Sequence, residues 1–193
     1  MKEIIYFTPQ FKEPYKHIYD MQYKALELII KYFKDKKDKG GNPYIEHLRT
    51  VAFSIRQYAE TCCKDKYCDD AIFYNKAYIV ALLHDIIEDT DMTRDILSKE
   101  GIDDIEILDA IESVTRQKNE KYFDFIKRAS KNDIGRIVKI YDLENNMDIR
   151  RLNKFGEYEQ KRLKKYWYSW KYLKGEISAI EYDNIINSDR LLK

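Results

Sequence analysis

The chain has 193 residues, enough for one sizeable core and too few for two ordinary domains to be the default. Charged residues make up 36% of it, yet 35 Lys and Arg stand against 34 Asp and Glu, and a net charge of +1 gives no basis for general nucleic-acid binding. Its apolar runs stay well short of the roughly 20 residues that a helical membrane span requires.

The N-terminal stretch MKEIIYFTPQFKEPYK is interrupted by Glu, Pro and Lys and does not read as a signal peptide, so a cytoplasmic protein is expected. Residues 16–35 place Met21, Ala25, Leu28, Ile29, Tyr32 and Phe33 on one face at helical spacing. Asn42 offers a cap and Pro43 a first helical position for a second helix through His47, Val51, Ile55 and Tyr58. Cys62, Cys63 and Cys68 follow; being three, they cannot all pair within one chain, and without a nearby His they make a poor zinc signature. They read as reduced structural thiols, in keeping with a reducing compartment.

A third helix is predicted from about 70 through Tyr78, Ala81, Leu82 and His84 to about 89, with shorter ones near 93–100, 103–115 and within 120–131. Asn132–Asp133 should open a helix carrying Ile137, Val138, Ile140, Tyr141 and Met147. After Gly156 a long aromatic helix is expected to bury Leu163, Tyr166, Trp167 and Trp170, and Ser178 with Glu181 forms a capping-box pattern for a last short helix. Glycines fall between these segments as helix stops. No strand pattern competes, so one all-α domain over 1–193 is the expected architecture. Lysine clusters at 34–41 and 160–166 read first as solvated surface.

The unusual chemistry lies in ALLHDIIEDTD, where His84, Asp85, Glu88 and Asp89 interrupt an apolar stretch of a chain that has only 3 histidines. Burying such groups is costly unless their charge is compensated, and a divalent cation accepts both imidazole and carboxylate. On a continuous helix His84 would share a face with Glu88, and Asp85 with Asp89. IVKIYDLENNM adds Asp142 and Asn146, again four apart, and GGNPYIEH adds His47. Alone, each has an ordinary explanation: a hydrogen-bonded core histidine, a helix end entering solvent, an exposed aspartate. Taken together, a His–Asp doublet with an upstream His and a downstream Asp favours a metal site.

The order of these segments resembles the HD-domain phosphohydrolases. GNPYIEHLRTVA, ALLHDIIEDTD, ESVT and VKIYDLENNMDI are similar to motifs of the Rel/Spo-type guanosine tetraphosphate hydrolases, over roughly residues 20–175. The resemblance implies an HD-domain helical bundle in which His47, His84, Asp85 and Asp142 hold a metal, generally manganese, although another divalent ion would serve. It implies that Glu88 and Asp89 orient and activate the attacking water, and that Asn146, Arg162 and Tyr166 contact the nucleotide and its phosphates. Lys118 and Lys121 fall where phosphate-facing lysines are frequent. The implied activity is release of the 3′-pyrophosphate of guanosine tetraphosphate or pentaphosphate alarmones, with a small nucleotide as the only implied partner and the oligomeric state open.

Two departures matter. Lys36 and Lys37 stand where the family commonly has an arginine that stacks on guanine, and lysine has no flat guanidinium to offer. Leu143 stands where a basic residue is common. An adenine alarmone or NADPH therefore stays open as substrate, as does a non-catalytic alarmone-binding role.

Overall fold

A computed structural model describes residues 15–63 and 69–189. Cys68 and residues 1–14 of the N-terminal stretch lie outside the described residues. Among the described residues all regular elements are helical: α1 (Tyr15–Phe33), α2 (Tyr44–Cys62), α3 (Asp69–Leu83), α4 (Ile86–Asp89), α5 (Arg94–Lys99), α6 (Ile105–Val114), α7 (Tyr122–Ala129), α8 (Asp133–Asn146), a 3-10 turn Ile149–Arg151, α9 (Glu157–Lys174) and α10 (Ala179–Ser188). The expected all-α architecture is therefore the observed one.

The helix α3 is the hub, packing against α1, α2, α6 and α8. Its C-terminal half reads AYIVALL, apolar on every face, and Ala77 together with Ile79 through Leu83 is wholly buried. A helix with no polar stripe has to be surrounded, which is why amphipathic α1, α2, α6 and α8 wrap it. A second cluster forms from Phe125, Ile126, Ala129, Leu143, Leu173 and Tyr182, and it seats α9 and α10 on α7 and α8.

Local chemistry sets the helix starts. The Thr93, Asp104 and Asn132 side chains accept from backbone N–H groups of the first turns of α5, α6 and α8, replacing partners that a helix start lacks. Ser178 and Glu181 form the reciprocal box expected before α10. Pro43 itself is the residue preceding α2, one position earlier in the helix than expected. Asn42 is used in the turn before it, where its N–H donates to Asp38 Oδ1 at 2.9 Å and its carbonyl accepts from Asp38 N at 2.8 Å.

Two expectations are corrected. The predicted third helix is not continuous to 89: α3 stops at Leu83, His84 and Asp85 form a turn, and α4 begins at Ile86. The His84 ring occupies the Ala81 carbonyl (2.7 Å) that a continuing helix would need, and Asp85 takes φ −103° and ψ 1°. The buried stripe of α9 is also displaced. Trp167 is 47% exposed, stacked on Trp170 at 5.4 Å, while Ser169 and Leu173 are fully buried. Small Ser169 lets the Tyr182 hydroxyl approach to 2.7 Å, so the face through Tyr166, Ser169 and Leu173 turns inward instead.

Helices α6 and α8 approach closely at Gly135, where an added Cβ would lie 2.0 Å from Ser113 Oγ and 3.3 Å from Val114 Cγ1. Gly135→Ala is expected to destabilise the fold by about 1–3 kcal/mol through overpacking. Adding Ser113→Ala should recover part of that loss in urea unfolding, since it removes the nearest atom.

Candidate metal centre

Three helices bring their polar residues to one buried point. The first turn of α2 supplies His47, the turn just after α3 supplies His84, and the third turn of α8 supplies Asp142; they are 5%, 1% and 3% exposed. One ligand atom from each lies within 4.8 Å of the others. His47 Nε2 is 3.2 Å, and His84 Nε2 3.5 Å, from the same oxygen, Asp142 Oδ1. The two imidazoles meet edge to face at 5.2 Å. Asp85, in the turn after α3, puts its Oδ2 3.1 Å from His84 Nε2 and 3.8 Å from His47 Nε2.

Each of these side chains is held by a further partner. Tyr44 donates its hydroxyl to Asp85 Oδ2 at 2.5 Å, and Lys139 Nζ sits 2.6 Å from Asp142 Oδ2. Asn146 Nδ2 donates to Asp142 Oδ1 at 2.5 Å, and His47 Nδ1 meets Asn145 Oδ1 at 2.7 Å. His84 Nδ1 faces the Ala81 carbonyl, a group that can only accept, so the proton of the neutral ring resides on Nδ1. That leaves His84 Nε2 buried, with no hydrogen-bond partner among the described residues.

An orphaned imidazole nitrogen pointing at two carboxylates is what a divalent cation with nitrogen and oxygen ligands would satisfy. The residues present fit such an ion. The electrostatics agree. Burial alone would lower the His84 pKa, but the Asp85 charge and the nearby Asp142 raise it well above the ordinary imidazole value. Burial alone would raise that of Asp142, but Lys139 and the two histidines hold it well below the usual carboxylate range.

The cluster opens into a cavity of about 920 Å³. Glu88, Asp89, Asn146, Lys36, Lys37, Arg162 and Tyr166 all line it. Glu88 Oε1 accepts the Arg116 backbone N–H, and partial desolvation raises the Glu88 pKa against the lowering effects of that amide and of Lys139. Asp89 Oδ2 is paired with Lys36 Nζ at 2.6 Å, and the same ammonium lies 4.5 Å from the centroid of the Tyr44 ring. Lys118 and Lys121 are exposed and are not among the cavity's lining residues; Arg116 occupies the wall that they were expected to reach.

Several lining residues had no role in the sequence reading: Tyr44, Lys39, Arg116, Lys139, Arg151 and Lys165. Lys139 carried a signal, being a cation in an apolar run three residues before Asp142. The others announce themselves only through contacts made across the chain. Arg162 Nε is buried without a hydrogen-bond partner among the described residues. Burial lowers the Lys165 pKa, as does repulsion from Arg116, Arg162, Lys39 and Lys139.

Comparison with known proteins is consistent with this geometry. The HD domain family matches residues 44–147, more than half of the chain, a span that holds His47, His84, Asp85 and Asp142. A comparison with curated proteins gives no match.

Because metal and proton compete for His84 Nε2, divalent-ion affinity should rise with pH until His84 has titrated, then level off. Below that point binding should release about one proton. Calorimetry of Mn²⁺ binding in buffers of different ionisation enthalpy measures the release directly, and Asp142→Asn should abolish binding.

Proposed function

Because this chain belongs to the HD-domain family, and is thereby a metal-dependent phosphohydrolase, we propose that it removes the 3′-pyrophosphate of guanosine tetraphosphate or pentaphosphate with manganese as its ion. The observation that carries this reading is charge. Nine Lys and Arg line the cavity against seven Asp and Glu, and three of those acids are already engaged, Asp89 by Lys36, Asp38 by Arg151 and Asp142 by Lys139. Burial and repulsion from Arg116, Arg162, Lys39 and Lys139 lower the Lys165 pKa, and Arg162 Nε is buried with no hydrogen-bond partner among the described residues; such crowded positive charge suits a ligand carrying several phosphates.

A bound divalent ion supplies polarisation of a phosphoryl oxygen and a more acidic water. His47, His84, Asp85 and Asp142 would hold it. Glu88 takes the proton of the attacking water, its raised pKa bringing the carboxylate closer to working pH. Asp89 is drawn to Lys36, so of the acidic pair it is the positioning member. Asn146 is fixed by Asp142 and presents its remaining amide atoms to the cavity. Arg162, Lys165 and Tyr166 neutralise and align the phosphates. Water oxygen bonds to the 3′-linked phosphorus, the bond from that phosphorus to the ribose oxygen breaks, and pyrophosphate leaves with GDP or GTP as the other product.

Lys36 favours a second reading of the base. Its ammonium is committed to Asp89 and to the Tyr44 ring, which leaves no stacking platform for guanine from this residue. An adenosine alarmone or NADPH is then the alternative substrate of the same centre. Incubation with Mn²⁺ and a panel of guanosine and adenosine alarmones and NADPH separates these by product. Pyrophosphate with GDP or GTP supports the first reading, orthophosphate from NADPH the second, and stoichiometric binding without turnover a non-catalytic alarmone receptor.

Glu88→Gln should lower kcat by about 10²–10⁴-fold while leaving Mn²⁺ binding intact. In the native enzyme the rate should fall as pH drops through the Glu88 titration, which lies above the ordinary glutamate value. That acidic limb should disappear from the residual activity of the variant.

A further inference from the structure

Ligand His47 has two possible tautomers, and the groups around it compete over them. On one side of the ring Asp142 Oδ1 lies 3.2 Å from Nε2 and would draw the proton there. On the other side Asn145 Oδ1 lies 2.7 Å from Nδ1. A ring protonated on Nε2 has no lone pair left for an ion, so the Asn145 contact decides whether His47 is a ligand at all.

An asparagine amide is a weak arbiter unless its own orientation is fixed, because its oxygen and nitrogen can exchange places. Here it is fixed. Arg151 Nη1 donates to Asn145 Oδ1 and, at 3.1 Å, to the Asn145 carbonyl; it also lies 3.3 Å from His47 Nδ1, where it opposes a ring proton, so the shorter 2.7 Å contact with Asn145 Oδ1 carries the preference. A guanidinium can only donate, so the oxygen of the amide must face it, and that same oxygen faces His47 Nδ1. Arg151 is anchored in turn: its Nη2 pairs with Asp38 Oδ2 at 3.0 Å, while Asp38 Oδ1 accepts the N–H groups of Gly40 and Asn42, each at 2.9 Å. The turn presses so close that a Cβ on Gly40 would lie 2.4 Å from the Arg151 carbonyl.

We propose that Asp38, Arg151 and Asn145 form a strut that holds the His47 proton on Nδ1, making Asn145 and Arg151 positioning residues of the metal centre. The strut also carries the turn that bears Lys36, Lys37 and Lys39, so the basic wall of the cavity and the ligand geometry share one support. Asn145 belongs to the same helix as Asp142, whereas Arg151 and Asp38 reach the ring from the 3-10 turn and the turn before α2. The assignment rests on the reading of this cluster as a metal site, and its test has one arm that needs no metal.

That arm is nitrogen-15 NMR of the histidine rings in the metal-free protein, read on the neutral His47 ring. The His47 proton is expected on Nδ1 in the native chain, and on Nε2 in Asn145→Leu, which removes the acceptor at similar volume. The second arm is the dissociation constant for Mn²⁺, expected to rise by about 10–100-fold in Asn145→Leu. Asn145→Asp restores an acceptor that still pairs with Arg151 and should recover the native proton position and most of the affinity. Arg151→Met removes its own 3.3 Å approach to His47 Nδ1, keeps the Asn145 side chain and frees its amide to turn; it should reproduce a large part of the Asn145→Leu effect and add little to it in the double variant. Should Asn145→Leu fail to fold, Arg151→Met carries the same two readouts. An unchanged proton position in the variants overturns the strut, whatever the metal result. A shifted proton with no native Mn²⁺ binding would keep the strut and overturn the metal reading beneath it.

Discussion

The fold turns on a single electrostatic problem. Two imidazole nitrogens and carboxylate oxygens converge at the centre of an apolar helical bundle, and among the described residues no hydrogen-bond partner satisfies His84 Nε2. Lone pairs and negative charge in a medium of low polarity repel and cannot be hydrated, so a cation is required to hold them together. A proton on His84 serves in its absence, and this is why the carboxylates raise the His84 pKa. Lys139 carries part of the same load from the far side of Asp142.

Geometry at this point is made by the secondary structure and then locked by side chains. Helix α3 can end at the centre because the His84 ring takes the Ala81 carbonyl, so one interaction both stops the helix and fixes the ring. The turn that results swings Asp85 back under Tyr44 and restarts as α4, which aims Glu88 and Asp89 into the cavity. A continuous helix would have aligned His84 with Glu88, as the spacing suggests, but would have required the Ala81 carbonyl for the Asp85 amide. The break is thus part of the site rather than a flaw in the helix.

Much of this was legible in the order of residues. Helices with a regular apolar stripe, such as α1 and α2, and starts marked by Asn132 or Ser178 are local features, and local features can be read locally. The buried cluster of His47, His84 and Asp142 was visible because His and Asp in an apolar run have few other reasons to be there. What escaped is non-local. Tyr44 meets Asp85 across 41 residues, Asn145 meets His47 across 98, and Arg151 meets Asp38 across 113. Nothing near Asn145 in the chain distinguishes it from Asn146, although one supports a histidine and the other an aspartate. On α9 two candidate stripes compete, and the smaller residue, Ser169, decides between them by admitting Tyr182. Mean apolarity points the other way, toward Trp167.

The two packed clusters divide the labour of the cavity. One, built on α3, holds His47 and His84; the other, rich in aromatic rings such as Tyr172 stacked on Tyr182 at 4.6 Å, carries α9 with Arg162, Lys165 and Tyr166. Helix α8 belongs to both, giving Ile134 and Val138 to the first and Leu143 to the second, and it bears Lys139, Asp142, Asn145 and Asn146 between them. The distance between the histidine–aspartate centre and the basic wall of the cavity is therefore set by how two cores seat on one helix. A change that repacks either core, even far from the cavity, would move the basic wall relative to the histidine–aspartate cluster, and this gives the tyrosine-rich second cluster a role in the shape of the cavity as well as in stability.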